Sequence, residues 1–267
     1  MRTLGPFRRV ASRAGFTLVE LLVVIAIIAL LVSLVIVTVR RATNSAERVD
    51  SLNVLRRIGT SFSAYSTDHR GRFIPGYLEP DVQTELDIGA KLADGTVVAP
   101  QAAASWVWRL APYADNDWIL FFRDNLEASE ETSLRSLETN GDLLTLSLRP
   151  RFGMNSIFVG GNSEGPAVTD PPWTPNAAAT RLSEVKQPAQ LILFGGTVAA
   201  QGGQLAADGS GWHELRAPFL DVEQWSVAST GEVVPAAGLD AGVPHARSDG
   251  RTAPIVHLDG HTEGAKI

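Results

Sequence analysis

Two histidines four residues apart, His257 and His261, bracket an Asp259-Gly260 pair near the end of the chain. Imidazole and carboxylate donors at this spacing, with His245 a little upstream, are the residue types of a metal site. Asp-Gly is a hairpin turn signal, so the two rings are expected to lie across a turn rather than along one helix face. A polar strand end closed by a structural turn would account for the same residues. Asp115-Asn116-Asp117 groups oxygen donors, but no spaced D-x-D-x-D-G calcium loop surrounds them. The chain has five His and no Cys, and it contains no G-x-S-x-G, H-E-x-x-H or phosphate-binding P-loop. The Gly-Gly pairs at 160/161, 195/196 and 202/203 do not fall in a strand-to-helix fingerprint. Nothing in this inventory favours an enzyme. The strongest chemical oddity is instead Glu20, an acid at the mouth of a long apolar run.

That run, residues 21–39, carries only Ser33 and Thr38 as polar groups, with no charge, Pro or Gly. As a helix it covers about 28 Å, close to the thickness of a hydrocarbon core. In lipid the helix is forced, because backbone groups have no partner outside the segment. The run is too long for a cleaved secretory signal, and Val37-Thr38-Val39-Arg40-Arg41 is a poor exit site for signal peptidase. A plain uncut anchor is the simpler alternative. The first 15 residues contain Arg2, Arg8, Arg9 and Arg13 and no acid; the remainder then holds 19 basic and 29 acidic residues. An acidic body argues against a nucleic-acid partner, and the basic start suits the cytoplasmic side of a membrane segment. With no cysteine there are no disulfides, so 267 residues at 45% hydrophobic content must be held by their core.

GFTLVELLVVIAIIALL, residues 15–31, resembles the N-terminal signature of type IV prepilins, shared by pilins and the pseudopilins of type II secretion. The resemblance covers residues 1 to about 40. It implies a leader of residues 1–15, cleavage by a prepilin peptidase between Gly15 and Phe16, methylation of the new Phe16 amine, and Glu20 as the fifth mature residue. It further implies that Glu20 of one subunit pairs with the Phe16 amine of its neighbour and sets the register of a filament. Thr17-Leu18-Val19-Glu20 also reads as a capping box, a role compatible with that one. Major pseudopilins carry calcium in their heads, so the resemblance admits calcium as a cofactor at the Asp115–Asp117 cluster; no other cofactor is implied. The body resembles a large-headed branch of the family ending in His…Asp-Gly. That likeness lies in residues 106–113 (WVWRLAPY), 152–156 (FGMNS), 188–195 (PAQLILFG) and 256–261 (VHLDGH), although thirteen residues separate His245 from Asp259 where the branch has nine.

Beyond the apolar run, Val49, Leu52, Leu55, Ile58, Phe62 and Tyr65 recur at helical spacing among polar residues. Gly59 is a weak spot in that stripe, and Gly71 and Pro75 give the stop. One helix over residues 16–70 is expected, with no proline kink. Residues 78–104 read as loop with a short hairpin at Asp94-Gly95, and Ser105 as the cap of a short helix ending near Pro112. Trp106, Trp108, Trp118, Phe121 and Phe122 are expected in the core, the alternative being a sugar-stacking platform. Residues 143–161 read as strand, turn, strand; 160–179 as loop; Leu191 to Phe194 as a buried strand; 217–229 as a strand; and the end as a hairpin about Asp259-Gly260.

The expected fold is therefore α+β: a long N-terminal helix, membrane-spanning over residues 21–39, and a head of residues 71–267 built on an antiparallel sheet. The expected function is a structural subunit of a pilus or secretion pseudopilus. Its partners would be prepilin peptidase, like or unlike pilin subunits and the inner membrane, with the head on the outer side. The alternative is a membrane-tethered protein whose head binds a glycan or other envelope component through exposed Trp106 or Trp173.

Overall fold

The computed structural model describes residues 18–122, 142–163, 178–207, 209–218, 222–230, 232–246 and 252–266. Helix α1, Leu18–Asp68, runs through 51 residues. The chain divides into two compact units, Met1–Asn44 and Ser45–Ile267, and α1 contributes to both.

In the second unit, α1 buries Ser51, Val54, Leu55, Ile58, Gly59, Ser61, Phe62 and Ser66. These fall three, four and seven apart, the period of one helix face. The expected stripe is right from Leu55 to Phe62, but Val49 is 57% exposed, so the buried face starts later and uses small serines to bring the helix close. Past Asp68 the chain makes a Schellman stop: the Gly71 N–H donates to the Ser66 carbonyl at 2.7 Å and the Arg70 N–H to the Thr67 carbonyl at 3.3 Å. Arg70 holds the left-handed position usually given to glycine, with φ 56°.

The chain then forms β1 (Tyr77–Leu78), the short helices α2 (Pro80–Glu85), α3 (Trp106–Leu110) and α4 (Leu143–Leu148), and strands β2 (Phe152–Met154) and β3 (Asn162–Ser163). Strands β4 (Ile192–Gln201), β5 (Gln204–Leu205), β6 (Trp225–Val227), β7 (Val233–Pro235), β8 (Ala241–Pro244), β9 (Thr252–His257) and β10 (Thr262–Lys266) follow. Among the described residues the main sheet runs β10-β9-β4-β2, with β5 and β8 pairing with β4, all antiparallel. The short β1 and β3 pair in parallel, and β6 with β7 in antiparallel.

Three expectations change. Residues 143–148 are helix, not strand: the Asp142 side chain accepts from the Thr145 N–H, and Leu143, Leu146 and Ser147 form the buried face. A short apolar run does not by itself separate the two periods, and the cap decided. Within the expected loop of 78–104, Pro80 at the first turn and Asp81 start α2. Among the described residues of the 217–229 segment, only 225–227 are strand. The Asp94-Gly95 turn is present, with Lys91 opposite Val97, as is the Ser105 cap, which accepts from the Val107 N–H. Most of the expected loop at 160–179 lies outside the described residues.

Strand β4 is buried along nearly its whole length, which is why it reads as an unbroken apolar and small-residue run instead of an alternation. One of its faces meets the aromatic core. Trp106 packs edge-on to Phe194 with centroids 4.8 Å apart and to Phe121 at 5.2 Å; Phe62 of α1 lies 6.1 Å from Phe194 and 5.3 Å from Phe73. Trp106, Trp108, Trp118, Phe121 and Phe122 are all buried, so they are core and offer no stacking platform.

Gly59 is where helix and sheet touch: a Cβ there would stand 3.0 Å from Val256 Cγ2 on β9. The helix penalty of glycine is thus offset by close approach. Gly59→Leu should destabilise the head by about 1–3 kcal/mol through overpacking. Val256→Ala in the same chain should recover part of that loss, which denaturant titration of the two single variants and the double variant would measure.

Candidate functional site

The N-terminal unit is defined by what it leaves uncovered. Every described residue from Leu18 to Ala46 is exposed within the chain. Leu, Ile and Val side chains from Leu18 to Val39 retain 44–79% of their surface. These apolar groups surround the helix on all sides, so it has no polar face to give to water. An apolar surface of this extent requires lipid or other protein around it. The two polar side chains in the run are satisfied internally. Ser33 Oγ donates to the Leu30 carbonyl at 2.8 Å, and Thr38 Oγ1 to the Val35 carbonyl at 2.8 Å. The segment therefore presents no unpaired hydroxyl proton to hydrocarbon. Glu20 lies exposed in the first turn, where a carboxylate favours the positive end of the helix dipole. At the other end stand Arg40 and Arg41, suited to a lipid headgroup layer. Gly15, Phe16 and the capping Thr17 lie outside the described residues.

The head contains polar groups that the sequence did not single out. Glu214 is buried and accepts from Ser156 Oγ at 3.0 Å and Asn162 Nδ2 at 3.1 Å, and it pairs with Arg216 at 3.0 Å. With all these partners Glu214 acts as a tie between strands, not as a base waiting for a substrate. Arg109 is buried against the carbonyls of Pro75 and Ala104, at 2.9 and 3.0 Å, and burial pushes its pKa down to about 10. It clamps the segment after α1 to α3. Next to Glu214, burial pushes the His213 imidazole down to about 4, against the opposing pull of Glu214.

Across the sheet from the aromatic core lies an apolar groove of about 370 Å³, lined by Ile192, Leu215, Pro218, Trp225 and Ile255 among others. Of the metal-ligand candidates, His257 and His261 come together with their rings stacked at 4.0 Å. Asp259 Oδ1 takes both the His261 backbone N–H, at 3.1 Å, and its Nδ1, at 2.6 Å. The backbone N–H, then the ring, hold the Asp259 carboxyl below its usual range. His245 is not brought to this place: its N–H bonds Gly196, four residues along β4 from Ile192, which opposes His257. That is a separation of about 13 Å along the strand. Asp117 is engaged by Arg57 at 3.4 Å, and Asp115 takes the left-handed position that ends a short turn of helix.

A sequence profile described as the prokaryotic N-terminal methylation motif matches residues 11–36. No curated protein and no solved structure matches the chain. A long N-terminal helix followed by an antiparallel-sheet head is a pilin-like architecture, and the prepilin-type methylation motif stands at the start of it. The motif points to a structural subunit rather than an enzyme, and together with the apolar helix it fits anchoring in a membrane. The match ends at residue 36 and leaves the head, including its His and Asp-Gly residues, outside it.

Because His213 is neutral in the fold, its contribution to stability is fully present above about pH 6.5. It is lost as pH falls toward 4, when the unfolded chain takes up a proton that the folded chain refuses. The span of that loss is about 3 kcal/mol. Denaturant midpoints between pH 7.5 and 4.5 should fall more steeply for the native chain than for His213→Phe.

Proposed function

We propose that this protein is a structural subunit of a type IV pilus or type II secretion pseudopilus, cut between Gly15 and Phe16 by prepilin peptidase and N-methylated at Phe16. The observation that carries the reading is the junction of the methylation motif, residues 11–36, with a helix whose apolar half is exposed on every side. The exposure is suited to two successive environments. Before assembly, lipid covers residues 21–39; after assembly, the same surface is buried against the helices of neighbouring subunits. The head, held by its own core, is carried outside the membrane.

Glu20 gives the assembly its register. A carboxylate in an apolar bundle is costly unless paired. The freed amine of Phe16 in an adjacent subunit supplies the opposite charge, so the favoured stacking is the one that brings the two together.

A second reading rests on the apolar groove beside Trp225: a tethered head that binds an apolar part of an envelope component, using the N-terminal segment only as an anchor. Trp106 is fully buried and cannot serve such a site. Trp173 lies outside the described residues.

Mass spectrometry of the N-terminus of the membrane-extracted protein should show a chain beginning at N-methylated Phe16. An intact Met1 in a host with an active prepilin peptidase would favour the tethered head. Glu20→Ala should leave the denaturation midpoint of the head unchanged and reduce incorporation into sheared filaments at least tenfold; incorporation at the native level would remove the register role.

A further inference from the structure

The C-terminal hairpin places three ligand side chains on one face of the sheet. Its backbone is closed by the His257 N–H donating to the His261 carbonyl at 2.9 Å and the Gly260 N–H to the His257 carbonyl at 2.9 Å. Gly260 takes φ +91°, which the turn requires and which most side chains resist. In the pairing that continues from this turn, Thr262 opposes Val256 and Glu263 opposes Ile255. His257 and His261 are therefore direct cross-strand neighbours, and Glu263, two residues beyond His261, projects to the same side. Val256 alternates to the other side, against Gly59 of α1. The helix fixes the strand's orientation and leaves the His face turned away from it.

The donor atoms of His257, His261 and Glu263 all lie within 4.8 Å of one another. His257 Nε2 and Glu263 Oε1 are already 3.2 Å apart. Bonds of about 2.0–2.1 Å in a tetrahedral zinc site place neighbouring donors roughly 3.3 Å apart. Only His261 has to close on that pair: its side chain is 44% exposed at the end of a turn, and its ring must turn out of the 4.0 Å stack with His257 so that both lone pairs point at one ion. His257 is 92% covered, since its side chain retains 8% exposure, so one ligand is rigid and two are adjustable. Asp259 Oδ1 on Nδ1 of His261 adds the feature that distinguishes this group from an accidental pair. A carboxylate can only accept there, so this contact favours the tautomer with the proton on Nδ1, which would leave Nε2 as the lone-pair donor of a carboxylate–histidine–metal arrangement.

We infer that His257, His261 and Glu263 form a binding site for a divalent transition ion of the zinc class, with Asp259 as the positioning residue. Two imidazoles and one carboxylate suit zinc better than calcium or magnesium, which prefer oxygen donors throughout. Three protein ligands leave a fourth position open to water or to a donor from another molecule. Bound ion would lock the last two strands together across their turn. The site is independent of the filament reading, since it uses only head residues and stands whether or not the N-terminus is processed.

The test is calorimetric titration of zinc chloride into the full-length protein in detergent, with no polyhistidine tag and with magnesium chloride as the comparison ion. The expected result is one zinc per chain and no magnesium uptake. His261→Ala and Glu263→Gln should each weaken zinc binding tenfold or more. Asp259→Asn, which keeps the oxygen accepting the backbone N–H but loses the charge, should weaken it about 10- to 100-fold. His245→Ala should leave it unchanged. Circular dichroism of each variant would confirm a folded head, as expected for substitutions at the exposed Asp259, His261 and Glu263 and the half-buried His245. Absence of saturable zinc uptake, or uptake that survives His261→Ala, would overturn the site.

Discussion

The contact of α1 with β9 and β4 organises the head. Gly59 against Val256 sets how closely the helix can lie, and Phe62 against Phe194 and Phe73 fills the space beside that contact. Both faces of β4 are then covered, one by the aromatic core and the other by the segment that carries Leu215 and Pro218. The inner side of β9 must be apolar and small enough to meet the helix, so its alternate residues, Ile255 and His257, fall on the outer side. A glycine that weakens the helix as an isolated element is the residue that lets the helix join the sheet.

Polar chemistry inside the head follows from the same packing. Tight layers leave little room for water, so Glu214 is surrounded by Ser156, Asn162 and Arg216, and Arg109 is bound by two carbonyls. These groups tie loops to the core. They resemble a reactive site only if burial is considered without the partners. The outer face of the sheet differs, because an apolar groove and the exposed ring of His261 remain reachable there.

The two units of the chain solve opposite solvent problems. Residues 45–267 hide large aromatic groups from water by folding on themselves. Residues 18–44 cannot do this, because a single helix that is apolar all round has no inside. That unit is complete only with lipid or neighbouring helices around it, and the methylation motif stands at the start of such a segment.

The sequence by itself determined the elements whose signal is local. An unbroken apolar run of residues 21–39 specified a helix with no polar face. Ser105, Asp94-Gly95 and Asp259-Gly260 specified a cap and two turns, since each depends on backbone chemistry within a few residues. A strand at Ile192 to Phe194, though not its continuation to Gln201, and the aromatic core were legible from composition. Only the tertiary structure decided the rest. Residues 143–148 became helix because Asp142 capped them and one side could be buried. Val49 stayed exposed because it lies about half a turn around the helix from Ile58, away from the buried face. His245 was separated from His257 and His261 by four residues along β4, whereas Glu263, unremarkable in the sequence, was delivered to them by strand register. The burial of the helix faces and the place of His245 depend on which distant segments pack on one another, whereas Glu263 follows from the register that the Asp259-Gly260 turn sets in its own hairpin.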